Sequence, residues 1–122
     1  MATITAQLIL DENNYTDDDI TLTNLEYLID NAINYVNLQT GLSISNLSGT
    51  AESKTVTVTS NESTVIKSLA VLMIRAYKDR GPQVGIQGLS VSTVIADPQY
   101  SLFMKVVDDG IKRLCGQSFD RV

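Results

Sequence analysis

Residue types that usually carry out catalysis are scarce in this sequence of 122 residues, which contains no histidine, no tryptophan and one cysteine. Cys115 therefore lacks the imidazole base that commonly activates a nucleophilic thiol. Asp108 and Asp109 offer the carboxyl groups used in acid–base catalysis. Adjacent residues on a helix do not face the same side, however, so these two groups cannot converge on one substrate. We predict that the protein is not an enzyme.

The acidic run at residues 17–19 has the composition of a calcium-binding loop but not its spacing. A calcium loop that begins at Asp17 needs glycine at its sixth position and glutamate at its twelfth. Leucine occupies both positions, as Leu22 and Leu28. We therefore interpret the aspartates as capping and solvating the following helix, whose dipole favours negative charge at its start.

Glycines 81, 85 and 88 do not form a phosphate-binding loop, because no Gly-Lys-Ser/Thr step follows them and no dinucleotide-binding fingerprint is present. We expect a flexible loop there. A metal site would need oxygen ligands alone, because the chain has no histidine and no paired cysteines. Nothing in the sequence indicates such a site. We predict neither a cofactor nor a metal ion.

Length and composition predict a single domain that spans residues 1–122. The chain is 43% apolar but only 6% aromatic, so its core should consist mainly of aliphatic side chains. A domain of this size buries roughly two-thirds of the surface of its unfolded chain. The first residues lack the basic and apolar runs of a signal peptide, and no segment approaches the ~20 apolar residues that span a bilayer. The lone cysteine fits a reducing compartment.

Charge is distributed unevenly along the chain. Residues 1–62 contain nine acidic residues and one base, whereas residues 63–122 contain eight bases and five acidic residues, for a net charge of −5. Copies of such a chain could meet head to tail, in contacts that close into a ring. The alternative is that the charges only solvate helix faces. Without a dense basic stripe, the chain is a poor candidate for tight binding of duplex DNA.

Three long segments have the apolar periodicity and terminal residues of α-helices. The first runs from Thr23 to Thr40 and ends at Gly41, with Thr23 and Glu26 spaced as a capping box. The second, from about Glu62 to Arg80, should be central and buried because it is apolar on almost every side; Ser60 or Asn61 should cap its start. It should stop at Gly81-Pro82. The third should start at Asp97-Pro98 and stop at Gly116.

The remaining segments predict shorter elements. Residues 3–10 suit one short helix that packs as a lid, and residues 54–59 alternate β-branched side chains as a strand does. Residues 89–95 are a plausible second strand that pairs with the first. Gly110 should weaken the last helix by about 1 kcal/mol and bend it. The predicted fold is mainly α: a small bundle of three long helices plus a short N-terminal helix, with a small β element formed by the segments between helices.

Three stretches of the chain, taken in order, match a known pattern. The first is the acidic turn followed by Leu25-x-x-Leu28-Ile29-Asp30-x-Ala32-x-x-Tyr35-Val36-Asn37-x-x-Thr40-Gly41. The second is Ile66-Lys67-x-Leu69-Ala70-x-Leu72-x-x-Arg75-Ala76-Tyr77-x-Asp79-Arg80. The third is the stretch from Ser92 to Tyr100 with its closing helix. In order, spacing and length, the chain resembles the head–tail connector (adaptor, or head completion) proteins of tailed bacteriophages. It departs from the commonest pattern in a Ser/Thr-rich insert at 43–60 and a long last helix.

The resemblance implies a structural virion protein that forms a homo-oligomeric ring, commonly of twelve subunits, under the portal of the capsid. Such a ring extends the DNA channel and binds the stopper or tail-completion protein. DNA would pass through the channel without specific binding, and an acidic channel surface would repel its phosphates. The expected location is the head–tail interface of the virion, reached from the host cytoplasm during assembly. No membrane is implied.

The resemblance also implies that the C-terminal segment docks on the portal protein. Residues 115–122 would form an extended docking tail, with Phe119 as an apolar anchor and with Arg113 and Arg121 as charged contacts. The alternative for Phe119 is an ordinary residue of a frayed terminus. We expect this tail and the loop at residues 81–96 to be mobile in the free subunit and to become ordered in the ring.

Two other classes of function stay open. One is a small helical protein-binding or regulatory module without catalytic activity, which a monomeric protein that ignores portal proteins would favour. The other is a minor enzyme or metal-binding protein, which a stoichiometric metal ion would favour.

Overall fold

The computed structural model describes the backbone of residues 1–84 and 89–120, and the side chains of residues 1–79, 89–100 and 104–115. It confirms the predicted fold class, a mainly helical domain with a small two-stranded sheet. The elements follow one another as β1 (Ala2–Thr5), α1 (Ala6–Glu12), α2 (Leu22–Thr40), β2 (Thr55–Val58), α3 (Ser60–Val84), α4 (Val91–Ile95), a 3-10 turn (Pro98–Tyr100) and α5 (Ser101–Asp120).

Helix α3 is the centre of the bundle, as its sequence predicted, and it packs against both α2 and α5. Eight of its apolar side chains are buried, and together they cover more than half of the helix circumference. They are Val65, Ile66, Leu69, Ala70, Leu72, Met73, Ile74 and Ala76. Because the core is aliphatic, burial of these side chains is the main stabilising term, at about 1.5–3 kcal/mol for each large one.

The start of α2 differs from the prediction, whereas its end agrees with it. Thr21, not Thr23, is the N-cap, and its hydroxyl accepts from the Asn24 N–H at 3.2 Å. Glu26 takes no part in a capping box, because its carboxylate is turned toward another segment of the chain. At the other end, Gly41 adopts φ 75°, the left-handed conformation that closes a helix and that glycine adopts at no steric cost.

A capping box does occur, but at the start of α3. The Thr59 hydroxyl accepts from the Glu62 N–H at 3.2 Å, while the Thr59 N–H donates to Glu62 Oε1 at 2.9 Å. Two backbone donors that the helix cannot satisfy are thereby paired. Thr59 is therefore the cap, rather than Ser60 or Asn61, and it lies one residue after the end of β2.

The predicted strand at residues 54–59 is confirmed as β2, but its predicted partner is wrong. Strand β2 pairs antiparallel with β1, in a register that places Thr57 opposite Thr3. The segment from Val91 to Ile95 is instead the short helix α4, because Ser90 caps it by accepting from the Thr93 N–H at 3.3 Å. Val91 and Val94, three residues apart, are both buried, as one helical turn requires.

The N-terminal segment combines two elements where the sequence predicted one. Residues 2–5 form β1, and the predicted short helix begins only at Ala6. Thr5 ends the strand and caps the helix, since its hydroxyl accepts from the Leu8 N–H at 3.0 Å.

Two helices extend beyond their predicted ends. Helix α3 continues past Gly81-Pro82 to Val84, and α5 continues past Gly116 to Asp120. Proline removes one backbone donor and bends a helix without preventing the residues after it from staying helical, and a single glycine only weakens one. The predicted start at Asp97 is confirmed, because its carboxylate accepts from the Gln99 N–H at 3.0 Å, although the first turn is 3-10.

Gly110 lies where α5 crosses α3. A Cβ atom built on Gly110 would lie 2.4 Å from Cγ2 of Val65, far inside van der Waals contact. Val65 is buried, and a β-branched side chain in a helix has essentially one rotamer, so it cannot easily move aside. The glycine permits the close approach of the two helices.

We expect Gly110→Ala to destabilise the protein by about 1–3 kcal/mol, the usual cost of overpacking, although alanine has the higher helix propensity. Chemical denaturation measures this directly. In the double variant Gly110→Ala/Val65→Ala the new methyl group has room, so the two substitutions should couple favourably. A Gly110→Ala protein more stable than the native chain would show that the helices do not approach this closely.

Candidate functional site

Side chains of α2 hold the long segment between α2 and β2. Asn37 pairs with the backbone of Ile44 in both directions: its Oδ1 accepts from the Ile44 N–H at 2.9 Å, and its Nδ2 donates to the Ile44 carbonyl at 2.8 Å. About two helical turns earlier, Asp30 Oδ1 accepts from the Leu47 N–H at 2.9 Å. Residues 44–47 lie in no strand, so these side-chain bonds hold the segment until Ser48 forms an antiparallel bridge with Thr55.

Glu26 makes the most buried of these contacts, with 4% of its surface exposed. Its Oε1 accepts from the Glu52 N–H at 2.9 Å, and its Oε2 accepts from the Lys54 N–H at 3.0 Å. Glu52 has φ 71°, a left-handed conformation that costs a non-glycine residue roughly 1–2 kcal/mol. The carboxylate thus holds a tight turn that delivers the chain to β2. This role differs from the one predicted from the sequence, because the spacing of Thr23 and Glu26 indicates a capping box.

Oppositely charged residues from the two halves of the sequence pair within the chain. Glu12 lies 3.0 Å from Lys67, and Asp19 lies 2.9 Å from Lys78, so both pairs join the acidic first half to α3. Asp19 also accepts from the Thr16 N–H at 2.9 Å, and that bond, followed by the one with Lys78, lowers the pKa of its carboxyl group. Part of the charge asymmetry is therefore used inside the subunit.

The acidic run is only partly what the sequence predicted. Asp17 and Asp18 are exposed, as expected of solvating residues, but Asp19 closes a turn and pairs with α3. The cap of α2 is Thr21. The hydrogen bond from the Thr16 N–H to Asp19 and the ion pair between Asp19 and Lys78 therefore fix the loop before α2.

The outward side of α2 carries no charge. Tyr27, Asn31, Asn34 and Leu38 succeed one another at helical spacing and form one stripe on the side opposite the core, which we call the α2 stripe. Its two ends are apolar: Tyr27 is 41% exposed and Leu38 is 80% exposed. Beside it, a shallow depression of about 300 Å³ extends to residues 89–92, and every described residue that lines it is uncharged.

A second depression lies between the end of α1, α3 and α5. We call it the α3–α5 groove; its volume is about 600 Å³. Val71, Leu72 and Val106 give it an apolar lining, and Val106 is 58% exposed. The ion pair between Glu12 and Lys67 lies at its rim.

Of the three residues predicted to dock on a portal protein, Arg113 lies exposed on α5. Arg121 and the side chain of Phe119 lie outside the described residues, so the three are not placed relative to one another. The Sγ atom of Cys115 lies 3.7 Å from the Gln39 carbonyl, to which it donates a weak hydrogen bond.

Among the described side chains, those of residues 1–79, 89–100 and 104–115, no three histidine, cysteine, aspartate or glutamate residues come close enough together to hold a metal ion. None of the helices described there is both long enough and apolar enough to cross a membrane.

We expect Glu26→Gln to lower the free energy of unfolding by about 1–3 kcal/mol, because the amide can accept only one of the two backbone bonds and leaves a buried donor unpaired. Glu52→Gln is the matched control, since that exposed side chain accepts only a 3.3 Å bond from the Thr23 hydroxyl. Equal effects of the two substitutions in urea denaturation would contradict the assigned role of Glu26.

A second prediction concerns Asp30. Burial raises the pKa of its carboxyl group above 3.8, against the opposing effects of the Leu47 N–H and Lys54. The ionised form is therefore a cost to the folded state, and native stability should gain from protonation as the pH falls through the raised pKa toward 3.8. Asp30→Asn keeps the Oδ1 acceptor but removes the charge. The free energy of unfolding of the variant minus that of the native chain should therefore be more favourable to the variant at pH 7 than below pH 3.8. Denaturation at both pH values measures this difference in stability, and a difference that does not change with pH would contradict the prediction.

Comparison of the whole chain with protein-family models, with curated protein sequences and with solved structures finds no significant match.

Proposed function

We propose that this chain is the subunit of a head–tail connector, a structural virion protein that forms a ring under the portal and joins the capsid to the stopper or tail. The observation that carries the proposal is the α2 stripe, a helix face without charge on which three of four residues are exposed, in a chain of which 19% is charged. The centres of protein interfaces are depleted of charge and enriched in aromatic residues such as Tyr27. The order of segments that resembles connector proteins supports the same function.

The distribution of acidic residues also supports it. Asp17 and Asp18 are exposed on the turn before α2, and the chain carries a net charge of −5. An acidic surface toward the channel repels the phosphates of DNA, so that DNA passes without binding. In this proposal the ring has about twelve subunits, as the resemblance implies, and it assembles in the host cytoplasm before it becomes part of the virion.

The deciding experiment is co-sedimentation with the portal protein of the same genome, followed by electron microscopy of the pellet. We expect a ring with a central hole stacked on the portal. No co-sedimentation at any salt concentration would contradict the proposal and favour the alternative, a small helical protein-binding module. Binding of the intact chain to the portal without a ring would retain the partner but reject the architecture.

Arg113 provides a sharper test of the docking side. We expect Arg113→Glu to weaken portal binding by roughly tenfold or more, since reversing a contact charge introduces repulsion. Lys112→Glu is the matched control, because this neighbouring exposed residue carries the same charge but points about 100° away on α5. Equal weakening by both variants, measured in the same sedimentation assay, would show that only net charge matters.

A further inference from the structure

We infer that the small sheet is a docking site for an extended segment of another protein, which adds as a third strand along the side of β1 that faces away from β2. We call this side of residues Ala2–Thr5 the β1 edge. It lies outside the α2 stripe, and strand addition there does not depend on the proposed ring.

The hydrogen bonds of β2 show which way the backbone groups of β1 point. Thr55 exchanges two backbone bonds with Ser48, at 2.9 and 3.0 Å, so its N–H and C=O point away from β1. Because this direction alternates along an antiparallel strand, the next residue, Val56, bonds to β1, where its partner is Ile4. The N–H and C=O of Thr3, the residue before Ile4, therefore point outward from the β1 edge.

These outward groups of Thr3 have no partner among the residues whose side chains are described. Thr3 is also exposed. The irregular segment before β2 differs, because side chains of α2 accept from the N–H groups of Ile44, Leu47 and Glu52. The chain thus supplies acceptors for the backbone of a loop and leaves a regular strand open. Backbone donors and acceptors in an extended row are complementary to another strand.

The β1 edge lacks most of the features that keep sheet edges from pairing. Such edges usually carry charged residues, proline or a bulge, or another segment covers them. Residues 2–5 contain neither a charge nor a proline, and their register with β2 is continuous. On the outer side of β2, by contrast, Ser48 already pairs with Thr55. The four-residue length of β1 is itself a protection, since it limits the edge to one short strand.

The two faces of the sheet define the chemistry of the docked segment. Ile4 and its partner Val56 are buried, whereas Thr3 and its partner Thr57 are exposed. A third strand continues both faces, so an apolar residue belongs beside Ile4 and polar residues belong on either side of it. The segment is therefore a stretch of alternating polar and apolar residues that binds through its main chain. The net charge of −5 favours basic rather than acidic residues at its ends.

Nuclear magnetic resonance with a synthetic peptide tests the inference on the full chain. The peptide Lys-Thr-Val-Thr-Val-Thr has the sequence of residues 54–59, which already pairs with the other side of β1. We expect it to shift the amide signal of Thr3 and to slow exchange of that amide with solvent, with a dissociation constant of about 1 mM. A control peptide with proline as its third and fourth residues loses a donor in either register and should bind at least roughly tenfold more weakly.

Variants of the chain locate the contact. Thr3→Pro removes an outward donor that the pairing of β1 with β2 does not use, and edge strands tolerate proline at such positions. The fold should therefore persist, while peptide binding falls at least roughly tenfold. Thr3→Val keeps the donor, and Thr57→Pro removes the outward donor on the far side of β2, so both should bind the peptide as the native chain does.

Thermal unfolding followed by circular dichroism checks the fold of each variant. If Thr3→Pro unfolds, exchange of the Thr3 amide in the native chain decides, because that measurement needs no substitution. Protection of this amide by the first peptide and not by the proline peptide supports strand addition at the β1 edge.

Four results would overturn the inference. They are an unchanged Thr3 amide at peptide concentrations well above about 1 mM, equal binding by a folded Thr3→Pro chain, and loss of binding in Thr57→Pro alone, which would place the strand beside β2. The fourth is protection of Thr3 that rises with protein concentration in the absence of peptide, which would assign the edge to a second copy. None of these results bears on co-sedimentation with the portal, so the proposed function is tested separately.

Discussion

The carboxylate of Glu26 is the contact on which the order of this fold depends. It is buried at 4% exposure and accepts two backbone bonds, from Glu52 and Lys54, at the point where the chain turns toward β2. Without it, two partly buried backbone donors in a tight turn would lose their acceptor, at a cost of up to about 1–3 kcal/mol each. Strand β2 begins directly after this turn and pairs with β1. Thr59, which follows the last residue of β2, caps the central helix α3. One side chain of α2 thereby sets the position of the sheet and the start of α3.

Local signals in the sequence were sufficient for the helices but not for their partners. Gly41 ended α2 where predicted, and Asp97 began the last helical region, because each cap depends on bonds within a few residues. The partner of β2 was wrong because pairing depends on what the bundle brings near, and residues 89–95 satisfy their own backbone by the Ser90 cap. Glu26 was misassigned for a related reason: Thr-x-x-Glu spacing fits a capping box, but its other partner is more than twenty residues away.

For the candidate surfaces too, the sequence predicted local features but not the contacts between distant residues. It indicated charged residues, of which Arg113 is exposed on α5, and an asymmetry of charge between the two halves of the chain. In the folded chain, two ion pairs form between those opposite charges, Glu12 with Lys67 and Asp19 with Lys78, which no one-dimensional pattern could reveal. The α2 stripe, by contrast, was visible in the sequence as helical positions at Tyr27, Asn31, Asn34 and Leu38 without charge. It was overlooked because the apolar stripe on the other side of α2 gave the stronger signal.

If the proposed ring forms, a contact between subunits without charge, such as one through the α2 stripe, would suit a channel through which DNA passes. Arginine or lysine at the contact would attract phosphates, and the resulting affinity would change steeply with salt. The charges paired within the chain, such as Asp19 with Lys78, do not depend on a neighbouring subunit. The net charge of −5 makes free copies repel one another. In the proposed ring, association would therefore be weak for two free copies and strong only where several contacts close together, which is the behaviour that assembly on a template requires.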